Sequence, residues 1–579
     1  MKIILILIAL IPIKLHATSS IINIDKLNIV EIQENIDKGY LTYETLTKIY
    51  LERIEKYNEQ YNAIITINQN AIAEAKLLDE EYKKSGRRSL MHGMPIIVKD
   101  NIDVKGLPTT NGTKALLDSY PYENAPIIQK LIDAGAIVLA KANMDEFAFH
   151  AEHSSSSFGM VKNAYNLEYS SYGSSGGTAV GVAAGLAVAG IGTDTGSSIR
   201  IPASANNLVG LRPTTSLIDN KGIIKFEVTR DVAGPITKYV IDNAIMLEII
   251  NNQGKKYTNF NKDISEIKIG VFKDQYNGAT SFIKDLMSKQ IEKLKSLGAT
   301  VEFVNSFSPN YQFNANTLCY EFNEYLKGTT SKIKSLNDLI KTKEYTHHIE
   351  GYNNSYCNYD YSKTQAFKNY LGNRNNNINY VNNKFGDYDA FIYPTIKNEV
   401  VKLTNINNYK VKTFSSSIAP LVGFPAISIP IGFYNNLPYG MEILAKANNE
   451  EILYIIAYNL EKDNNFYEQP EIAPSLYTIN NNIPILLNYY ENSNEEKFEE
   501  IKKKTKTFLD NYNDIDDKDE TIELLIKEYE ETTTIDLPTK ELSTNNSKEK
   551  YRIIAIYIFI DIIILLAVLI KRRCKNEIK

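Results

Sequence analysis

The sequence of 579 residues contains no tryptophan and only three cysteines, Cys319, Cys357 and Cys574. The spacing of the cysteines matches neither a metal site nor a disulfide framework, which excludes a small zinc-stabilised or disulfide-rich fold. Cys319 and Cys357 leave two interpretations open: one disulfide formed outside the cytosol, or two buried thiols. We expect no metal and no other cofactor.

The sequence also has no excess of basic residues over acidic residues. The 64 Lys and Arg residues are outnumbered by 69 Asp and Glu residues, and the formal net charge is −5. Because nucleic-acid-binding proteins normally present a basic face, we expect no nucleic-acid partner. The hydrophobic share of 43% and the charged share of 23% are typical of globular proteins. The length exceeds one ordinary core, which predicts more than one structural unit.

The N-terminus has the pattern of a secretory signal peptide. Met1-Lys2 is followed by an apolar run, Ile3–Ile13, and by the small residue Ala17, where cleavage fits. The run is short for a membrane span, and a buried N-terminal helix is the alternative. We predict a signal peptide over residues 1–18 and an exported chain.

The C-terminus has the pattern of a membrane anchor. Residues 553–570 are apolar, and as a helix they would extend about 27 Å, close to the thickness of a hydrocarbon core. Asp561 in the middle costs about 2.5–3.5 kcal/mol, which the Ile and Leu side chains offset. Basic residues follow. The sequence therefore predicts a transmembrane helix over 551–571, a cytoplasmic tail over 572–579, and a single-pass protein whose body lies on the periplasmic, extracellular or lumenal side.

Between the two ends the composition changes once. In residues 19–475, helical patterns such as Ile127–Ala134 alternate with short buried runs, which predicts an α/β sheet. The predicted strands are Met94–Val98, Ala136–Ala140, Ile267–Phe272, Thr300–Val304, Ala390–Tyr393 and Ala426–Ile431. Residues 476–550 are polar and acidic, which predicts a stalk with an amphipathic helix at Ile522–Tyr529.

Two clusters of Gly and Ser, residues 172–178 and 192–198, enclose a short apolar segment, Ala179–Ile191. Glycine lets a backbone approach a ligand closely, and serine at a turn presents a hydroxyl group. The pattern predicts hydroxyl and backbone N–H groups around a reacting carbonyl, with a buried helix between them. A solvated linker is the alternative, but linkers do not enclose an apolar run.

Lys99 directly follows a predicted buried strand. A lysine in this position, placed against the Gly/Ser clusters, could lose its charge through desolvation and act as a base near pH 7. Considered alone, a surface lysine or a salt-bridged lysine is the stronger interpretation.

Lys99 and the two clusters belong to a longer ordered series of motifs. The series is Gly93–Asn101, Gly135–Asn143, Gly173–Gly177, Gly192–Ala203, Gly210–Thr214, Thr229–Pro235 and Pro420–Pro430. On these motifs the chain resembles the amidase signature family of serine hydrolases over residues 25–465. The resemblance implies an amidase domain over 19–475 with a large twisted mixed β-sheet covered by helices on both faces.

The resemblance also implies a Lys–Ser–Ser catalytic triad. Lys99 matches the base, Ser174 the bridging serine in a cis peptide, and Ser198 the nucleophile that forms an acyl-enzyme. Backbone N–H groups would stabilise the oxyanion. The residues implied for that role are Thr195, Gly196, Ser197 and Ser198.

Three further residues of the motif are expected to have supporting roles. Ser175 would help to orient Lys99, and Asp194 and Arg200 would hold the nucleophile loop through buried hydrogen bonds. His150 and His153 suggest a Ser–His arrangement instead, but the complete Lys–Ser–Ser set disfavours it.

These observations predict a membrane-anchored, exported amidase that hydrolyses a carboxylic amide to an acid and an amine or ammonia. One alternative is the glutaminase-type subunit of an amidotransferase, which residues 143–147 resemble and the predicted export disfavours. A non-catalytic binding descendant is the other. The expected partners are a small-molecule, lipid or peptide amide and the membrane, contacted through the C-terminal helix. A homodimer is left open.

Overall fold

The computed structural model describes residues 21–309, 317–347, 349–353, 355–408, 417–462, 466–476, 478–480, 490, 496–510, 521–522 and 524–529. The predicted signal peptide, transmembrane helix and cytoplasmic tail lie outside these residues. Within them, no helix is both long enough and apolar enough to cross a bilayer. The chain divides into two compact units, one ending at Asn481 and the other beginning at Asn482.

The first unit is built on short strands distributed along its whole length. In chain order they are β1 Ile21–Asn23, β2 Ile64–Ile67, β3 Pro95–Lys99, β4 Ile137–Ala142, β5 Ser155–Ser156, β6 Gly159–Met160, β7 Ala189–Asp194, β8 Val209–Arg212, β9 Val232–Thr237, β10 Lys268–Phe272, β11 Thr300–Val304, β12 Ala390–Pro394, β13 Ala426–Tyr434, β14 Leu437–Ala445 and β15 Thr478–Asn480. The six strands predicted from sequence are confirmed, with boundaries that differ by a few residues.

Eleven of these strands form one mixed sheet in the order β11-β10-β12-β14-β13-β8-β9-β7-β3-β4-β2. The pairs β11/β10, β10/β12, β7/β3 and β3/β4 are parallel, and the other neighbours are antiparallel. Every residue of β3, β4, β7, β8, β9, β12 and β14 is buried. Because alternate residues of a strand point to opposite faces, the middle of the sheet is covered on both faces.

Helices supply this cover. They are α1 Ile29–Asp37, α2 Tyr43–Tyr61, α3 Ala71–Ser85, α4 Pro126–Asp133, α5 Gly176–Ala183, α6 Arg200–Ala205, α7 Val240–Ile250, α8 Lys273–Asn277, α9 Ser281–Ser296, α10 Leu318–Leu326, α11 Leu336–Thr342, α12 Gln365–Phe385, α13 Ile418–Val422 and α14 Glu450–Glu461. α2 shows how the sequence directs the packing. Thr42 accepts a hydrogen bond from the N–H of Thr45 at its start, and its apolar side chains recur at helical spacing on the buried face.

α5 lies against the centre of the sheet, and small residues permit that approach. A Cβ added to Gly177 would lie 2.2 Å from the carbonyl oxygen of Asn143, and one on Gly181 would lie 2.5 Å from Cδ1 of Ile97. All eight residues of α5 are buried. The apolar segment between the Gly/Ser clusters is therefore a helix followed by β7, and it places one cluster against the other.

A helical insert between β11 and β12 carries α10, α11 and α12. Its own core includes Phe322 and Leu336 and packs against Phe147 from the part of the chain that follows β4. A disulfide joins Cys319 of α10 to Cys357, 38 residues further along the chain. Of the two interpretations left open by the sequence, the structure contains the disulfide.

The second unit begins within the segment predicted to be a polar stalk. It contains α15, Glu499–Asp510, and a helical segment at residues 524–529. Its small apolar cluster consists of Phe498, Ile501, Phe508, Ile522, Leu525 and Tyr529. The apolar residues of this segment are few, yet their helical spacing gathers them into one cluster, so part of the predicted stalk is a packed element.

We expect removal of the disulfide to destabilise the first unit. Closing a loop of 38 residues lowers the entropy of the unfolded chain, which stabilises the folded state by up to about 4 kcal/mol. The double variant Cys319→Ala/Cys357→Ala should therefore unfold at lower denaturant concentration than the unaltered protein. A reducing agent should lower the midpoint of the unaltered protein only. Equal midpoints for both proteins without reductant would contradict the expectation.

Candidate active site

Lys99 is the last residue of β3, and its side chain is fully buried. Its Nζ lies 2.6 Å from Oγ of Ser174 and 2.8 Å from Oγ1 of Thr193. Burial lowers the pKa of Lys99 to about 7, although the negative charges of Asp231, Asp194 and Asp145 act in the opposite direction. The amine is thus largely neutral at slightly alkaline pH, and it lies within hydrogen-bond distance of a serine hydroxyl.

Ser174 lies in the turn before α5, and the Gly173–Ser174 peptide bond is cis. The turn is held by its backbone: the N–H of Asp145 donates to the carbonyl of Ser174 at 3.0 Å, and the N–H of Gly173 donates to that of Ala151 at 2.9 Å. A Cβ on Gly173 would lie 2.0 Å from the carbonyl oxygen of His153. Glycine is therefore required there because the chain that follows β4 passes directly against the turn.

Ser175 contacts the backbone of Thr193 rather than Lys99. Its hydroxyl donates to the Thr193 carbonyl at 3.1 Å and accepts from the Thr193 N–H at 3.3 Å. The direct contact that orients Lys99 comes from the hydroxyl of Thr193, which also accepts a hydrogen bond of 3.1 Å from Asn101. The role in orienting Lys99 that was expected of Ser175 stays a prediction, and the contacts of its hydroxyl are with the backbone of Thr193.

Ser198 lies in the loop between β7 and α6, and the N–H of Ser175 donates to its carbonyl at 3.2 Å. Its hydroxyl forms no hydrogen bond with any residue that the structure describes. In the same part of the chain, the backbone N–H groups of residues 195–198 also have no acceptor. Gly196 is exposed, and a Cβ added to it would meet no atom within 4 Å. The loop thus presents a hydroxyl and unpaired N–H groups beside open space.

A buried ion-pair network holds this loop. Asp194 accepts hydrogen bonds from Nε of Arg200 at 3.1 Å, from Nη1 of Arg212 at 3.1 Å and from the N–H of Ile199 at 3.2 Å. Arg200 also donates to Glu442 and, at 2.9 Å, to the carbonyl of Gly196. The two arginines hold the pKa of Asp194 below its usual range despite burial. Asp194 and Arg200 thus form buried hydrogen bonds to each other and to the backbone of the loop, and the supporting roles expected of them stay predictions.

The histidines do not form a Ser–His pair. Nδ1 of His150 lies 3.2 Å from Oδ1 of Asp145, and Nε2 of His153 lies 3.5 Å from Oδ2 of the same carboxylate. Neither ring forms a hydrogen bond with Ser174 or Ser198 among the described residues. Burial lowers the pKa of His153 to about 4.

Several contacts of the site were not predicted from the sequence. Thr193 lies inside the motif Gly192–Ala203, and its place in that motif is the signal by which the sequence could have identified it as a site residue. Glu442 lies 242 residues from Arg200 and belongs to β14, where nothing in the local pattern marks a partner for a loop after β7. His347, from the insert, was missed for the same reason.

Comparison with known proteins identifies the family. The family model described as Amidase matches residues 45–454. The chain belongs to the amidase signature family. Its enzymes act on amides, as the names of the relatives indicate.

Two curated relatives are A-type subunits of glutamyl-tRNA(Gln) amidotransferase. The protein from an Exiguobacterium species is 30% identical over 77% of this chain and 98% of its own length. The protein from Pediococcus pentosaceus is 33% identical over 74% of this chain and 94% of its own length.

Solved structures give the same fold. The peptide amidase from Stenotrophomonas maltophilia is 26% identical, with a TM-score of 0.67 over 78% of this chain and 99% of its own. The A-type amidotransferase subunit from Thermotoga maritima is 27% identical, with a TM-score of 0.60 over 78% of this chain and 100% of its own. The mixed sheet predicted from the resemblance is confirmed.

We expect the reactivity of Ser198 toward a fluorophosphonate probe to rise with pH. Lys99 accepts protons only when neutral, so the rate of labelling should increase through pH 7, the approximate pKa of the amine. In Lys99→Arg the side chain stays charged, and the labelling rate should fall by about 10²-fold or more. Labelling reactions that are quenched at timed intervals and analysed by mass spectrometry measure the pH dependence of the labelling rate and the effect of Lys99→Arg.

The variant Asp231→Asn separates two sources of this pH dependence. Burial raises the pKa of Asp231 to about 6, so that carboxyl also titrates near neutrality. If Lys99 is responsible, the rise persists in Asp231→Asn and moves to lower pH, because the carboxylate raises the pKa of Lys99. Loss of the rise in this variant would contradict the assignment to Lys99.

Proposed function

We propose that the protein is a serine amidohydrolase that cleaves a carboxylic amide through an acyl-enzyme on Ser198. The observation that carries the proposal is the 2.6 Å contact between Nζ of a fully buried Lys99 and Oγ of Ser174. A buried neutral amine beside a serine hydroxyl is a proton acceptor. The hydrogen bond from the N–H of Ser175 to the carbonyl of Ser198 joins the turn of Ser174 to the loop that carries Ser198.

The reaction proceeds in two halves. In the first half, Oγ of Ser198 attacks the amide carbon while its proton passes to Ser174 and the proton of Ser174 passes to Lys99. Collapse of the tetrahedral intermediate breaks the C–N bond, and Ser174 protonates the departing nitrogen while Lys99 returns its proton to Ser174. In the second half, water attacks the acyl-enzyme through the same relay, and the carboxylic acid leaves.

The unpaired N–H groups of residues 195–198 suit the negative charge that forms on the carbonyl oxygen. Donors in such a site are each worth about 2.7–4 kcal/mol in the transition state. The bond from Arg200 to the carbonyl of Gly196 and the bonds around Asp194 hold the loop in place before substrate binds. The Ser198 hydroxyl forms no hydrogen bond with the described residues, and apo enzymes often align catalytic hydrogen bonds only in the complex.

One observation favours a hydrolase over the glutaminase-type subunit of an amidotransferase. The Cys319–Cys357 disulfide suits an oxidising compartment. The amidotransferase subunit is the second candidate, and the curated relatives support it, since they match over nearly their whole length. The non-catalytic alternative is disfavoured by the lysine–serine contact.

We also propose that the catalytic unit lies on the exported side of a membrane and is anchored by residues 551–571. The sequence patterns of residues 1–18 and 551–571 and the disulfide support this arrangement. The substrate class is a small-molecule, lipid or peptide amide that reaches this side.

We expect Ser198→Ala to abolish hydrolysis. Loss of the nucleophile should lower kcat/KM by about 10⁴-fold or more, whereas Ser216→Ala, at an exposed serine, should leave it unchanged. The assay follows acid and amine release from aliphatic, aryl, peptide C-terminal and long-chain acyl amides, with glutamine as the comparison substrate. Activity confined to glutamine would favour the amidotransferase alternative. A folded, probe-unreactive protein that cleaves none of them would refute the hydrolase.

The membrane arrangement predicts the accessibility of Cys574, the one cysteine outside the disulfide. In intact cells, a membrane-impermeant maleimide should leave Cys574 unlabelled, and permeabilisation should expose it. A Cys574→Ser variant gives the background, and a cysteine placed at exposed Ser216 reports the side on which the body lies. Labelling of Cys574 without permeabilisation, or of Ser216→Cys only after it, would contradict the arrangement.

A further inference from the structure

Three histidines from two distant segments line a pocket, and one aspartate next to the Ser174 turn lies close to all three. Asp145, His150 and His153 follow β4, and His347 comes from the insert. One nitrogen or oxygen atom from each of the four residues lies within 4.8 Å of those of the other three. The adjoining pocket, of about 550 Å³, is lined by all three histidines together with Phe149 and Tyr352.

The distances within this cluster are at the long end for hydrogen bonds and are compatible with coordination of one shared ion. The nitrogens of His150, His153 and His347 lie 3.2, 3.5 and 3.3 Å from the carboxylate oxygens of Asp145. Hydrogen bonds between such groups are usually about 2.7–2.9 Å long. Ligands at about 2.0–2.1 Å from a tetrahedral zinc ion are about 3.3 Å from one another. The three histidine–carboxylate distances, which involve both oxygens of Asp145, are close to this value, and all four donor atoms lie within 4.8 Å of one another.

The carboxylate is already held in position by backbone groups. The N–H of His150 donates to Oδ1 of Asp145 at 2.9 Å, and the N–H of Ser155 donates to Oδ2 at 3.1 Å. Metal ligands in proteins are commonly oriented by such secondary hydrogen bonds. Nδ1 of His153 is buried and has no hydrogen-bond partner among the described residues, so this ring is not committed to another contact through that atom.

His347 is brought to the cluster by a second carboxylate. Oε2 of Glu146 accepts hydrogen bonds from the N–H groups of Thr346, at 2.5 Å, and of His347, at 2.9 Å. Nε2 of His347 also lies 3.1 Å from the carbonyl of Ser155, a contact that a metal ion would replace. An ion in this position would link the insert to the segment after β4, which contacts the Ser174 turn through the N–H of Asp145.

We propose that Asp145, His150, His153 and His347 bind one divalent ion of the zinc class. Three imidazole nitrogens and one carboxylate form a donor set that suits Zn²⁺ and Co²⁺, whereas Mg²⁺ and Ca²⁺ prefer oxygen ligands. The absence of metal-type cysteine spacing led to the opposite expectation from sequence. The donors here come from segments 202 residues apart, which no local motif reveals.

The proposal rests on metal binding and on the joining of two segments, and not on the amidase reaction, although the N–H of Asp145 also contacts the Ser174 turn. Occupancy should stabilise the folded protein in proportion to the logarithm of free metal concentration over Kd. His150 is 43% exposed at its side chain, so an ion reaches the cluster from solvent.

The test is metal binding by the purified full-length protein after treatment with a chelator. Titration with ZnCl₂ in a calorimeter should give one tight site, and titration with CoCl₂ should give the visible absorption of tetrahedral Co²⁺. His347→Ala and His150→Ala should each weaken binding at least about tenfold. His92→Gln, which changes a buried histidine outside the cluster, should retain one equivalent.

Thermal unfolding separates loss of a ligand from loss of the fold. Without metal, His347→Ala should unfold at nearly the same temperature as the unaltered protein, and added Zn²⁺ should raise the midpoint of the latter only. The proposal is overturned if the unaltered protein binds no Zn²⁺ or Co²⁺, if both cluster variants bind as it does, or if His92→Gln weakens binding equally. None of these readouts depends on amide hydrolysis.

Discussion

The site depends on the desolvation of one amine. Lys99 ends a central strand of a sheet that is covered on both faces, so water does not reach its Nζ. Holding this side chain neutral near pH 7 costs the folded state on the order of 5 kcal/mol, since each pKa unit corresponds to about 1.4 kcal/mol. Because the pKa of Lys99 is lower in the folded protein than in the unfolded chain, the stability of the folded state rises with pH between about 7 and the pKa of the unfolded chain. The large sheet core is what makes such a cost tolerable.

The position of that amine relative to the serines follows from close packing. α5 is composed of small residues, which lets it lie against β3 and β7. Larger side chains at Gly177 and Gly181 of α5, or at Gly190 of β7, would collide with their neighbours. The turn before α5 carries Ser174, and the end of β7 leads to Ser198. The apolar segment that separates the two serines in the sequence is thus the element that brings them together.

Charge pairing and long-range cross-links fix the loops around this centre. Asp194 faces two arginines inside the protein, where removal of one partner would leave an uncompensated charge. The insert is closed by the Cys319–Cys357 disulfide and is fastened to the chain after β4 through Glu146 and His347. The turn that carries Ser174 is held by that same chain through the N–H of Asp145.

The sequence alone determined the family, the order of the motifs and the residues matching its triad, because those residues sit in short segments whose composition is dictated locally. Small residues are needed where backbones touch, and a strand before Lys99 is visible as an apolar run. Tertiary structure decided which groups contact Lys99, that Ser175 contacts the backbone of Thr193, that Glu442 pairs with Arg200, and that His347 joins the histidines after β4. These contacts join residues up to 242 positions apart, so they exist only once the sheet has set the path of the chain.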